Sequence, residues 1–599
     1  MESVVQNSKV YKLWDVLELT LRAAKEYENP YMDIDVWIDL KGPGFQKRVY
    51  GFWDGESCFK VRFTATAAGE WSYTSGSFPR DEGLCGVRGN FLAEDWNEAE
   101  KNENPARRGI LRPGENGRTF VHPDGTDFFM VGDTWWAAPT FRFRWSDDDL
   151  ERPLEEHYFK DLVRFRKGQG YNAIGMLTGH PTWANDGFPA TIEVEPGIWI
   201  RAAWKQYGTE SAKDMYNTGG RPFLFPGKVK GYKDVVPDFS RINPAYFHEM
   251  DLKIDFLHSQ GMLSFIEIAR RDVSMVWKKY GGWPDTYARY IQYVFARYQA
   301  HFCLFSPIHF DWEQYSIPAR EYNEPTNLWL QRYGAPPFGT LCGTNAAPST
   351  LVNFGGPQEA PWLTFHQTGN WREHDHHWYL TELYRSSPAM PAIAGEPYYP
   401  GYPNDDPPAD SVEAEKNCRA GLYGSFLSGA LGGVLYGVEG VWGGDVEPGA
   451  PYKLGEAVQF RSGEQAPLLR KFALSEGERY RELVPNSELV TPNKAGDPIG
   501  YRGWAYCAAT PQKDYALLYL EPECPPLTLR GFPLNTRYAL YRFDPVKGVW
   551  SEAGELLTDC VGRVPVTEET AASDVGYKLL KIGEDHSQQP SYRTIADYL

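Results

Sequence analysis

Carboxylates and imidazoles recur where apolar runs end along the middle of this chain. Residues 128–131 run into Asp133, 172–178 into His180, and 263–268 carry Glu267. Residues 302–310 pass through His309 into Asp311 and Glu313; 362–367 close on His366 and Gln367, and 391–394 lead to Glu396. No lysine able to form a Schiff base stands at these ends, and there is no GxSxG elbow, which argues against aldolase and esterase chemistry. The remaining chemistry is that of paired acids. Two carboxyls facing each other over a cleft suit glycosidic bond cleavage: one protonates the leaving oxygen while the other stabilises or traps the oxocarbenium-like centre. Asp311 and Glu396 lie more than 80 residues apart yet both follow an apolar run. Period-two alternation points His309, Asp311 and Glu313 the same way in an extended strand, so spacing alone leaves both acids open as the proton donor.

Groups so far apart in sequence need a scaffold that gathers strand ends. From residue 125 onward strand and helix signals alternate, the mark of a parallel sheet or barrel. Eight runs (128–131, 172–178, 263–268, 302–310, 338–341, 362–367, 391–394, 433–436) with helices between them predict an α/β fold, a (β/α)₈ TIM barrel whose catalytic groups sit at the carboxyl ends of the strands. The spacing predicts helices over 147–168, over 244–260 with Asn243 as cap and Pro244 in the first turn, and over 286–298. Asp410, with Glu413 three residues on, marks the start of a small-residue helix reaching about residue 428. On an eight-strand ring the fourth and seventh strands lie opposite, which brings Asp311 or Glu313 to face Glu396.

The flanks read differently. Short β runs separated by Gly and Pro over residues 12–91 predict an N-terminal β-sandwich, and the polar stretch 94–112 reads as a linker. Beyond residue 484 the runs 500–509, 515–520, 527–529, 539–543 and 564–567 predict a C-terminal all-β domain. The partition is therefore 1–100, 101–483 and 484–599.

Composition narrows the partners. Lys+Arg 61 against Asp+Glu 79 gives a net charge of −18, which repels nucleic acid and anionic membranes. No run approaches a membrane span, and residues 1–11 carry no apolar signal core, so no secretory signal is expected. The eight cysteines are scattered singly, which reads as reduced thiols in a cytoplasmic protein. Trp 21, Tyr 37 and Phe 32 are abundant, serving either as core or as faces on which sugar C–H groups pack; Trp135, Trp136, Trp183 and Trp442 are the candidate platforms. The cluster His374, Asp375, His376, His377 reads as a polar helix start, because neighbours on a helix diverge by ~100° and no three share a face fit for a metal. No metal and no cofactor is expected. The partner is a small carbohydrate, and the β-domains leave room for a homo-oligomer.

Five segments, in order, carry a family likeness: FFMVGDTWW at 128–136, the Asn-Pro-Ala-Tyr-Phe opening at 243–247, the run ending on Asp311, Ala-Gly-Glu-Pro-Tyr at 394–398, and residues 419–442. Together they resemble the apiosidase-like glycoside hydrolases, and the flanks resemble the β-sandwich and the collagen-binding-type β-domain of such enzymes. The resemblance implies retaining cleavage of a terminal sugar, with Asp311 as acid/base, Glu396 as nucleophile and Asp133 binding a hydroxyl of the cleaved sugar. Trp135, Trp136, His180, Glu267, His309, Glu313, His366, Gln367, Tyr398 and Trp442 complete the candidate substrate-binding set. An acid/base needs a raised pKa, and Phe310 and Trp312 are expected to supply apolar surroundings for Asp311. The chain departs from its relatives in reading Ser306-Pro307-Ile308-His309-Phe310 before the aspartate, where they show a tryptophan and Gly-Gly. The other reading is a noncatalytic carbohydrate-binding protein on the same scaffold.

Overall fold

The β runs of the first hundred residues pair into two sheets. One has five strands, in the order Lys9–Lys12, Arg88–Glu94, Gly69–Phe78, Asp35–Gly42, Phe45–Tyr50; the other has three, Leu17–Arg22, Cys58–Phe63, Phe52–Gly55. Leu21, Val36, Ile38, Val61, Trp71 and Phe91 are among the side chains that fill the core between them. This computed structural model describes residues 9–179, 191–201, 216–232, 236–370, 373–374, 376–402, 404–494 and 500–584. The chain divides into two compact units, Met1–Gly114 with Phe120–Gly369 and Glu439–Val458, and Glu115–Thr119 with Asn370–Val438 and Gln459–Leu599.

Residues 94–112 are not an open linker. They contain the helix Glu98–Glu103, whose cap Asn97 accepts from the Glu100 amide while Glu100 accepts from the Asn97 amide. That reciprocal box satisfies two amides that otherwise have no intrahelical partner, and it overrides the polar composition. Arg108, nearly buried, anchors the segment through Asp124, Glu98 and Asn102.

In the first unit four parallel strands lie side by side: Met130–Thr134, Ala173–Leu177, Leu263–Glu267 and Cys303–Ser306. All are buried, as parallel strands covered on both faces must be. The helices Phe159–Gln169, Pro244–Ser259 and Asp285–Tyr298 separate them in sequence. Asn243 caps the second of these as expected, accepting from the Ala245 amide, and Tyr246, Phe247, Met250, Ile254 and Leu257 are its buried face. Arg62, on a strand of the sandwich, and Arg297, on the helix Asp285–Tyr298, both grip Asp251 of the helix Pro244–Ser259, fixing two helices against the β-layer.

Several elements differ from expectation. The first helix begins at Phe159 rather than 147, because Pro153 and a left-handed His157 interrupt the chain ahead of it. The fourth strand stops at Ser306, since Pro307 cannot donate to a ladder. Residues 338–341 form no strand; the chain there makes one parallel bridge, Cys342 with Phe305, among Pro336, Pro337 and Gly339.

In the second unit Ala392–Ala394 and Gly433–Tyr436 pair in parallel. The helix Val412–Ser428 is capped by Ser411, one residue later than expected, through its bond from the Ala414 amide. The C-terminal region is all β, with a six-stranded sheet and a three-stranded one. It includes Val549–Leu557 and Val575–Glu584, which the sequence reading did not anticipate. Among the described residues no helix is long and apolar enough to cross a membrane, no group of three or more metal-ligating side chains comes together, and all eight cysteines are free.

Candidate active site

The ends of the third and fourth parallel strands bring Glu267, Arg270, Arg271, His309 and Asp311 together. Glu267 is the last residue of its strand and fully buried; one oxygen takes the His309 Nδ1 contact and the other accepts from the Asn345 amide at 3.1 Å. Glu267 therefore does not pair with Arg270 or Arg271. Both guanidiniums go instead to Asp311, Arg270 through Nη2 to Oδ2 and Arg271 through Nε to Oδ1 at 3.1 Å. Arg270 also holds Asp272, and Arg271 reaches the carbonyl of Gln314 at 2.8 Å, so the fork is braced at both ends. His309 Nε2 stands 3.9 Å from Asp311 Oδ1, and the Trp136 ring packs edge-on against the imidazole at 4.7 Å.

The charge state of Asp311 follows from this geometry. Burial alone raises a carboxyl, but Arg270 and Arg271, and then His309, outweigh it and hold the acid well below the ordinary carboxylate range. The expected apolar setting is not what surrounds it: Phe310 is buried, but Trp312 is 51% exposed. Glu313 is exposed as well, because the strand ended at Ser306 and the alternation that would have aligned it with Asp311 is lost.

The other candidates divide by setting. Asp133 is wholly buried on the first parallel strand, where Oδ2 accepts from Trp135 Nε1 at 2.8 Å and from Arg166 Nε at 2.6 Å. Burial pushes its carboxyl up against the opposing pull of Arg166. Trp135 stacks on Phe143 in the core. His366 bonds the Thr350 hydroxyl at 2.8 Å, and burial lowers its imidazole to about 4. Gln367 and Asn345 are buried, and neither side-chain amide has a hydrogen-bond partner among the described residues. His180 and Trp183 lie outside the described residues. In the second unit Glu396 lies two residues beyond the strand Ala392–Ala394 and is 5% exposed. Tyr398 beside it packs edge-on against Tyr501.

The family model described as "Apiosidase-like, catalytic domain" matches residues 114–477. The chain belongs to the apiosidase-like family. A domain of unknown function (DUF5060) matches residues 10–78 ahead of it. Among solved structures, the apiosidase-like chain is similar to a candidate glycoside hydrolase from Bacteroides vulgatus, at 16% identity and TM-score 0.62 over 96% of this chain and 100% of that one. It is also similar to a glycoside hydrolase of family 5 from Bacteroides vulgatus, at 16% identity and TM-score 0.56 over 80% and 94%. A further glycoside hydrolase matches at 17% identity and TM-score 0.55 over 80% and 99%. At these identities the likeness carries the fold, a (β/α)₈ barrel with β-rich flanks. The family membership places the chain among the glycoside hydrolases. No functionally curated protein matches it.

Beyond the eighth run, the apiosidase-like chain carries a second group of acids in its first unit. Trp442, half-buried, donates from Nε1 to Glu439 at 3.2 Å, and its carbonyl accepts from the Trp136 amide at 3.0 Å. Arg142 binds Glu447 and the carbonyl of Gly444, with Asp445 at 3.9 Å. Burial raises the Asp445 carboxyl to about 7; Arg142 opposes the shift, and Glu439 and Glu447 add to it. A carboxyl raised above its unfolded value of 3.8 makes the folded state bind more protons across that interval, so stability falls as pH rises from about 4 to about 7. Thermal melts at pH 5 and pH 8 are expected to show this loss in the wild type and a clearly smaller loss in Asp445→Asn. An equal loss in both would remove Asp445 as its source.

Sequence reasoning missed Asn345 and the Arg270–Arg271 fork. Asn345 follows the weak fifth run 338–341, and its position just past that run was the signal available. The two arginines follow Glu267 directly in sequence, and no local pattern assigns them to Asp311.

Proposed function

We propose that the protein is a retaining glycosidase that removes a terminal sugar from small glycosides or oligosaccharides, with Glu396 as nucleophile and Asp311 as the second carboxylate. The observation that carries this reading is Asp311 itself: a buried carboxylate past the fourth parallel strand, oriented by two guanidiniums beside His309. In the first half of the cycle the Glu396 carboxylate attacks the anomeric carbon, the bond to the leaving oxygen breaks, and that oxygen takes up the proton of a carboxylic acid, Asp311 or Glu313. In the second half a water gives its proton to Asp311 as it attacks the same carbon, and the glycosyl ester of Glu396 breaks.

The arginine fork suits Asp311 to the second half, where an ionised base is required, and to balancing positive charge at the anomeric carbon. It disfavours Asp311 as the donor in the first half, which leaves Glu313, exposed and two residues on, as the second reading for the proton source. Asn345 and Gln367 supply amide groups for sugar hydroxyls. Free thiols at all eight cysteines support a reducing, cytoplasmic setting.

A panel of aryl glycosides, α and β, pyranose and furanose, read by released phenol, tests the proposal. Release of phenol is expected from at least one member, with the first-formed sugar retaining its anomeric configuration by NMR. Sugar binding without release would favour the noncatalytic reading, and inversion would overturn the double-displacement scheme.

A further inference from the structure

His374, His376 and His377 take no part in the catalytic reading. Within the second unit a cavity of about 450 Å³ is lined by the start of the helix His376–Arg385, the end of the helix Val412–Ser428 and the strand Ala505–Ala509. One wall is organised by Glu521, which is fully buried: it accepts from the Trp504 amide at 3.0 Å and from the Tyr506 hydroxyl at 2.9 Å, and pairs with His374 Nε2 at 2.8 Å. The His374 ring lies flat on the Trp504 indole at 3.9 Å, which fixes both rings.

His377 stands apart from its neighbours. It is 5% exposed and lines the cavity, yet among the described residues neither ring nitrogen has a hydrogen-bond partner. The Nε1–H of Trp504, which also lines the cavity, has none among the described residues either. Buried polar atoms without partners are costly, and at a cavity wall they mark where the polar groups of a ligand would bind. Room for the imidazole comes from Gly424: a Cβ there would stand 2.7 Å from His377 Cε1 and Nε2 and 3.0 Å from the Tyr506 ring. A glycine inside a helix is unfavourable against alanine, and here its missing side chain leaves the space that the ring occupies. On the same helix Trp378 presents an indole that is 59% exposed at the cavity edge.

We propose that this cavity is a second carbohydrate site, binding an uncharged mono- or disaccharide against His377, Trp504 and Trp378. Burial keeps the His377 imidazole neutral, with one N–H to give and one lone pair to receive. The two ring nitrogens point out of different edges, so two hydroxyls of one sugar, one accepting from the N–H and one donating to the lone pair, match that pair, whereas an anion satisfies only the donor. A metal ion is disfavoured because His374 is engaged by Glu521 and His376 Nε2 by the Ser425 hydroxyl at 3.2 Å, leaving one imidazole. The volume falls within the range of small-ligand pockets, and an exposed indole beside polar groups is what a pyranose C–H face packs on. The site lies wholly within the second unit and does not depend on the chain being catalytic.

The test is calorimetric titration of full-length Glu396→Gln, which avoids turnover, with D-xylose, L-arabinose, D-galactose, D-glucose, cellobiose, D-glucuronate and Zn²⁺, each alone. Saturable binding of at least one neutral sugar below about 10 mM is expected. Its Kd should rise by about tenfold or more in Trp378→Ala, which touches only an exposed ring, and in Gly424→Ala, which displaces His377. In the wild-type background both variants are expected to leave hydrolysis of small aryl glycosides unchanged. No saturable binding of any neutral sugar, binding indifferent to both variants, or preference for glucuronate or Zn²⁺ overturns the proposal.

Discussion

Glu396→Ala is expected to lower turnover of an aryl glycoside by about 10³-fold or more, with azide restoring product as a glycosyl azide of opposite anomeric configuration. A nucleophile that forms the covalent intermediate is required in both halves of the cycle, so its loss removes the path rather than slowing one step. Shortening Glu396 to alanine leaves space where the carboxylate stood, and a small anion can attack the anomeric carbon from that side. Because no second displacement follows, the product keeps the inverted configuration. Glu396 is buried two residues past its strand, so the substitution removes a carboxylate without breaking a ladder. Circular dichroism and melting temperature are the controls. Activity within tenfold of wild type would remove Glu396 from the mechanism. Loss of activity without azide rescue, in a chain that still folds, would count against the nucleophile role and favour a positioning one.

How far the residues announced this site depends on the element. The helix Pro244–Ser259 was legible because cap, proline and apolar face all agree within sixteen residues. The parallel strands at 173–177 and 263–267 were legible because burial on both faces leaves mostly apolar side chains. The strand Val549–Leu557 was not, because it is largely exposed and reads VWSEAGELL, with no buried alternation to detect. The helix Glu98–Glu103 was hidden by its polarity, although Asn97 and Glu100 already carried the signature of its start. At the site the limit was different. Sequence placed Asp311 at a strand end but could not say that two arginines forty residues earlier would close on it, since that depends on the register of two neighbouring strands. The register also explains His309. The parallel bridge from Arg270 to His309 sets the imidazole beside Glu267, a pairing no local pattern encodes.

The arginine fork makes a second prediction of large effect. Asp311→Asn should destabilise the protein by about 3–5 kcal/mol in urea, because two buried guanidiniums lose their shared counter-charge. It should also lower turnover by about 10²–10⁴-fold, the range expected for loss of a general base. Stability and activity then fall together, so the decisive measurement is on Arg271→Gln, which keeps the carboxylate. Asp311 has a folded pKa below its ordinary 3.8, so its stabilising contribution is fully present above about pH 4 and is lost as pH falls below that toward the folded value. Removing one guanidinium raises that folded pKa, and a paired aspartate typically moves by about 1–3 units when its arginine is lost. The acid limb of kcat, read with an activated aryl glycoside so that hydrolysis of the glycosyl-enzyme limits turnover, should therefore move to higher pH in Arg271→Gln by about one unit or more, while the alkaline limb stays in place. A merely structural arginine would lower the whole profile without moving its limb. A limb that stays where the wild type has it would mean that Asp311 is not the titrating base. Recovery of the wild-type limb in Arg271→Lys, which restores the charge but not the fork, would assign the effect to electrostatics rather than to the geometry of the clamp.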